Sequence, residues 1–169
     1  KVKLLKGTES DILADGSLDY PDDILEKFDV IVASIHSRYK MDSAAMTQRI
    51  VTAMRQPFYK IWGHALGRLI QRRPPFECDL EQIFDAIAES RAAIEINADP
   101  YRLDLEPRWV REARKRKIKF VISVDAHSTG ALNYLRYGVG MARRGWVRRG
   151  EVLNTLTLKG FQKAVRPGL

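Results

Sequence analysis

Short apolar runs rich in β-branched residues alternate along the chain with stretches whose apolar residues recur every three or four positions. That alternation marks repeated strand–helix units and a mostly parallel sheet. Strands are predicted at Val2 to Leu5, Asp29 to Ile35, Lys60 to Gly63, Ala93 to Ile96 and Lys119 to Val124. Between the first two, Pro21 suits the opening turn of a short helix with Ile24, Leu25 and Phe28 on one face. Asp42 is placed to cap a longer helix whose buried positions are Met46, Ile50, Ala53 and Met54. Asp79 with Gln82 reads as a capping box ahead of Leu80, Ile83, Phe84, Ile87 and Ala88. Pro107 opens a fourth helix through Trp109, Val110 and Ala113. A fifth follows the spacing of Leu132, Leu135, Val139 and Ala142 and ends at Gly145. Prolines and charges mark Arg72 to Glu77 and Ala98 to Glu106 as surface loops. No repeat, low-complexity tract or linker divides the 169 residues, so they read as one unit.

A composition of 45% hydrophobic and 30% charged residues fits a packed fold and excludes a disordered chain. The formal net charge of +8 draws in an anionic partner such as nucleic acid at long range, and equally serves as a solvated basic surface. Cys78 is the single cysteine, which excludes an internal disulfide and a cysteine-based zinc cluster and fits a reducing cytoplasm. The longest apolar run, Val30 to Ile35, is far short of the ~20 residues of a membrane span, and no signal-peptide pattern is present. A soluble cytoplasmic protein without membrane association is expected. Lys1 stands where an initiator methionine would, so the sequence reads as a piece of something longer.

The chemistry lies in three histidines, His36, His64 and His127, each at the end of a strand-like run. In parallel α/β folds functional side chains gather beyond the C-terminal strand ends, where three imidazoles could converge. Glu9 and Asp125 fall at comparable positions. One strand-end histidine alone is more often a hydrogen-bonded structural residue. Three together with carboxylates and no thiolate suit zinc, manganese or iron, rather than calcium or a zinc finger. Asp125 and His127 would share a face if the strand continued through them, the alternative being an aspartate that caps the turn.

Eight segments then form an ordered pattern: Gly-Thr-Glu-Ser-Asp-Ile-Leu at 7 to 13, Asp-Gly-Ser-Leu-Asp-Tyr at 15 to 20, Ser-Ile-His-Ser at 34 to 37, Gly-His-Ala-Leu-Gly-Arg-Leu at 63 to 69, Ile-Glu-Ile-Asn-Ala at 94 to 98, Arg-Leu-Asp-Leu at 102 to 105, Asp-Ala-His at 125 to 127 and Ala-Arg-Arg-Gly-Trp at 142 to 146. In this order they resemble the polymerase and histidinol phosphatase (PHP) domain of bacterial family X DNA polymerases, specifically its C-terminal part. The resemblance implies an α/β fold, an incomplete distorted β/α barrel of the TIM-like, seven-stranded PHP type with its first strands missing. It implies metal ligands at Glu9, His36, His64, Asp125 and His127, with manganese or zinc as the ion. Its activities are phosphoester hydrolyses, including 3′-to-5′ exonuclease and DNA-end repair, so DNA is the implied partner and a polymerase module the implied upstream neighbour.

The family also carries a His-x-His motif, an aspartate and a further histidine ahead of the glutamate motif, and these are absent from residues 1–169. The chain alone is therefore expected to be weakly active or inactive, and its open sheet edge to favour self-association. For substrate, Arg68 and Arg102 are candidate phosphate clamps, because guanidinium matches phosphate as a bidentate fork; surface ion pairing is the alternative. Asn97, Arg38 and Lys40 are further candidates at the same rim, Asn97 equally suiting a turn. Trp146, amid Arg143, Arg144, Arg148 and Arg149, is read as core with the arginines a solvated helix end, against a base-stacking role in a nucleic-acid surface. The cluster Arg111 to Lys119 is read as solvated. A small-molecule phosphatase of the histidinol phosphatase type, and a catalytically impaired DNA-binding or interaction domain, are the competing functions.

Overall fold

The computed structural model describes residues 2–166. Five strands form one sheet in which every neighbouring pair is parallel and the order follows the sequence: β1 (Gly7–Asp11), β2 (Val30–Ser34), β3 (Lys60–Trp62), β4 (Ala92–Asn97) and β5 (Lys119–Ser123). Six helices accompany it: α1 (Asp22–Leu25), α2 (Ser43–Arg55), α3 (Leu80–Glu89), α4 (Pro107–Lys115), α5 (Leu135–Arg144) and α6 (Leu158–Val165). A sheet that advances one strand at a time without reversing direction fits part of an α/β barrel wall.

Local chemistry sets the helix starts. Asp42 accepts from Ala45 N at 2.9 Å, and Asp79 accepts from Glu81 N and Gln82 N at 3.0 and 3.2 Å. Gln82 returns its amide to the Asp79 side chain at 2.9 Å, a variant of the expected capping box. Pro107 occupies the first turn of α4. Lys60 is fully buried and donates to Met54 O and Gln56 O, which closes the C-terminal end of α2.

Both faces of the sheet are buried. The larger core lies under α2 to α5 and includes Met46, Ile50, Trp62, Phe84, Ile94 and Phe120. On the opposite face Tyr59, Ile61, Ala93 and Val121 meet Leu153 and Val165. Register carries that second face from Glu9 through Val32 to Ile61, and from Ala93 to Glu95, which pairs with Val121. One face is thus apolar at its lower end and carries carboxylates above.

Three expectations are corrected. No strand forms over Val2 to Leu5, where Val2 and Leu4 are exposed; the edge strand is the polar run Gly7–Asp11. Its pairing begins where Lys6 N donates to Asp29 at 2.8 Å and Asp29 N to Lys6 O at 2.7 Å, so the apolar residues upstream have no strand to join among the described residues. Leu132, at 60% exposure, Leu135 and Val139 face solvent instead of the core. A Cβ on Gly138 would overlap Ile122 and Ala98, so the glycine face of α5 sits closest to the sheet and Met141 and Ala142 are buried with it. Trp146 is 68% exposed, outside the core, because it follows the Gly145 C-cap and leaves the helix with φ 62.

The arginine cluster at the C-terminal end of α4 is ion-paired: Arg114 grips Glu151 at 2.9 and 3.0 Å, and Arg116 joins Glu81 to Asp85. The outer side of β5 is covered by Asn154, whose amide accepts from Ile122 N at 2.7 Å and donates to Ile122 O at 2.9 Å. No helix among the described residues is long and apolar enough to cross a membrane.

Candidate metal centre

Three adjacent strands deliver the centre. Glu9 lies within β1, His36 two residues beyond β2, and His64 two beyond β3. Gly63 makes the last step fit, since a Cβ there would overlap Ser34 Oγ. His64 then adopts a positive φ of 25, an uncommon conformation for a side-chain-bearing residue and of the kind that collects at functional sites.

Glu9 Oε1 is 2.9 Å from His64 Nε2 and 3.4 Å from His36 Nε2. The two imidazoles stand edge to face with centroids 5.0 Å apart. One donor atom from each of Glu9, His36 and His64 lies within 4.8 Å of the others, a group able to hold a metal ion. His36 is oriented from behind by Asp11, whose Oδ1 is 2.5 Å from Nδ1, leaving Nε2 turned toward Glu9. His64 is 3% exposed, yet neither ring nitrogen has an aligned hydrogen-bond partner. Buried polar atoms are nearly always satisfied, and an ion facing Glu9 would satisfy this one.

The electrostatics concentrate negative charge on Glu9 between the two imidazoles. The close approach of the His36 imidazole, then of that of His64, holds the Glu9 carboxyl far below the usual carboxylate range despite opposing burial. The Glu9 hydrogen bond, opposed by desolvation and aided by Asp11, pushes the His36 imidazole up to about 9. A bound cation would take over the role of these protons.

Below the histidines is a polar floor that the sequence reading had not singled out. Glu95 is buried and accepts from His64 N at 2.5 Å, from Asn97 Nδ2 at 3.2 Å and from Ser123 Oγ. Its signal was a carboxylate inside an otherwise apolar parallel strand, where charges are rare unless paired. Asp11 had a signal too, two residues from Glu9 on the same face of β1. Asp104, almost fully buried, accepts from Leu66 N at 2.8 Å, and burial raises its carboxyl to about 6. A cavity of about 210 Å³ is lined by Glu9, Val32, His64, Glu95, Ser123 and Asp125.

The remaining nominated residues divide. Asp125 reaches that cavity, held 3.7 Å from Arg102 Nε. His127 does not join the cluster: its side chain is 87% exposed and its Nδ1 sits 2.7 Å from Asp125 O. β5 ends at Ser123 and Asp125 takes a φ of 50, so strand alternation no longer relates the two side chains. Arg102 pairs with Asp125 through Nε, and its Nη1 is buried without a hydrogen-bond partner. Arg68 is instead a strut, its guanidinium bonded to Arg102 O at 2.9 Å, to Leu103 O and to Glu106. Asn97 accepts from Asp99 N at 3.0 Å and organises the turn after β4. Arg38 and Lys40 lie exposed on the loop after His36.

No protein-family model matches the chain. It is 40% identical over 160 residues, 95% of its length, to the DNA polymerase/3'-5' exonuclease PolX of Bacillus subtilis. The match is consistent with a PHP-type domain. It is also 29% identical over 164 residues to a probable phosphatase of Thermoanaerobacter sp. strain X514, and 30% identical over 134 residues to one of Clostridium botulinum strain Hall. The chain spans 28% of the length of the Bacillus relative, 64% of the Thermoanaerobacter one and 53% of the Clostridium one.

Proposed function

We propose that this chain is the C-terminal portion of a PHP phosphoesterase, a hydrolase that acts on DNA ends with manganese or zinc. The observation that carries the reading is the buried, unsatisfied His64 imidazole beside Glu9 and the Asp11-oriented His36. Two imidazoles and a carboxylate, with Asp125 at the cavity wall, are the donor set such an ion takes. When bound, the ion supplies Lewis-acid polarisation of a phosphoryl oxygen and lowers the pKa of water. The chain's own residues do the rest: Asp11 fixes His36, Glu95 anchors the His64 backbone, and Arg102 holds Asp125 at the cavity wall. Arg68 keeps the 102–106 loop in place for that contact.

The reading extends to a seven-stranded distorted barrel in the complete domain, a cytoplasmic setting, an adjoining polymerase module, and further ligands supplied from outside residues 1–169. It is tested by release of nucleotides from a 3′-labelled oligonucleotide with manganese or zinc, against chelator and His64→Ala. Metal-dependent release that His64→Ala abolishes supports it; DNA binding without metal-dependent cleavage turns it into an impaired DNA-binding domain. The names of the probable phosphatases favour a second reading, a small phosphomonoester as substrate. Faster hydrolysis of p-nitrophenyl phosphate than of the oligonucleotide selects that one.

A further inference from the structure

On the outer side of the sheet a groove of about 390 Å³ runs between α4 and α5, lined by Arg68, Glu106, Arg108, Arg111, Met141 and Arg144. It starts at the loop that carries Arg102 to Asp125 and descends to a second depression shared by Arg111 and Trp146. The Arg111 guanidinium lies 5.1 Å from the Trp146 ring centroid and donates to Arg144 O at 3.1 Å.

The charges here are treated differently from those next to them. Arg114, Lys115 and Arg116 are each matched by a carboxylate, from Glu151, from Glu112, and from Glu81 with Asp85. Arg111 and Arg144 have none among the described residues, and Glu106 is shared by Arg68 and Arg108. The groove therefore carries a surplus of positive charge that ends on an exposed tryptophan. Because that tryptophan follows a helix cap at φ 62, where asparagine or glycine costs less, neither burial nor backbone geometry accounts for it.

We infer that this groove is a docking track for single-stranded DNA, its arginines following the phosphates and Trp146 stacking one base at the far end. Arginines in excess over carboxylates match a polyanion, and an exposed ring backed by a guanidinium matches the face of an unpaired base, which a duplex or an acidic peptide does not offer. The choice of DNA rests on the function proposed above. The track would hold the strand some distance behind the end being hydrolysed; α5 alone, at ten residues, is about 15 Å long.

The test is binding of fluorescently labelled oligo-dT across a salt series to the wild type, Trp146→Asn and Arg144→Glu, with hydrolysis of bis(p-nitrophenyl) phosphate measured alongside. Both side chains are exposed, and asparagine tolerates the left-handed backbone. Trp146→Asn is expected to weaken oligo-dT binding about tenfold with an unchanged salt slope, and to abolish most of the tryptophan quenching on binding. Arg144→Glu is expected to weaken it and reduce the slope by about one. Neither should alter hydrolysis of the small diester. Unchanged affinity in both variants overturns the inference, as does tighter binding of duplex or of oligo-U. If no phosphoester is hydrolysed while Trp146→Asn still weakens oligo-dT binding, the hydrolase reading fails and the track stands.

Discussion

The expected ligand residues fall into two groups that the molecule treats in opposite ways. Glu9, His36 and His64 come from three neighbouring strands and are held by Asp11, Glu95 and Ser34's close approach to Gly63. Asp125 and His127 hang from the loop after β5, the first steadied by Arg102 at 3.7 Å and the second pointing into solvent. The sheet, with Asp11 and the buried Glu95, organises the first group through the protein's own hydrogen bonds. Asp125 still lines the same cavity as Glu9 and His64, but nothing in the fold turns His127 toward it. Preorganisation here follows hydrogen bonds behind the ligand, not the ligand's residue type.

The comparison can be broken most sharply at His64. His64→Ala should lower zinc affinity by about a hundredfold or more, measured by calorimetry, while His64→Gln should leave the melting temperature close to native. A variant that unfolds but keeps its zinc affinity would make His64 a core residue.

Asp104, close to the turn after His64, gives the next largest effect. Its carboxyl is raised to about 6 by burial, so folding favours the protonated form. The associated stability is present below the unfolded value near 4 and is lost as pH rises through about 6. Asp104→Asn should therefore be more stable than the native chain at pH 7 by about 2 kcal/mol, with the gap closing toward pH 4. Denaturant unfolding at both pH values checks this, and a variant less stable at pH 7 would mean that the charge is needed there.

Asp11→Asn tests the support itself, since it leaves every proposed ligand in place. Zinc affinity should fall roughly tenfold without loss of fold. His127→Ala should change affinity least, by less than about threefold, because the fold does not aim that ring at the cluster. An effect matching His64→Ala would mean that the loop closes onto the ion and that the two groups are equivalent.

Five of the six helices, all but α6, and four of the five strands were readable because burial imposes periodicity: Ile83, Phe84 and Ile87 could fall on one face only, and Asp42 and Asp79 cap as their spacing implied. β1 was misplaced because its residues are chosen for the site. Thr8, Glu9, Ser10 and Asp11 carry no apolar strand pattern, while the exposed Val2 and Leu4 do. α5 was readable as a helix but not in its orientation, since Gly138 provides the close packing and adds nothing to an apolar pattern. In the site, the strand-end histidines were visible from position alone. Their supports were not, because Glu95 and Asp11 gain meaning from register between strands far apart in sequence.

Anomalous diffraction from crystals grown with zinc tests the central claim most directly. The account predicts a peak about 2.0–2.2 Å from His64 Nε2, His36 Nε2 and a Glu9 oxygen. A peak held by Asp125 and His127 alone, or none at saturating zinc, would contradict it.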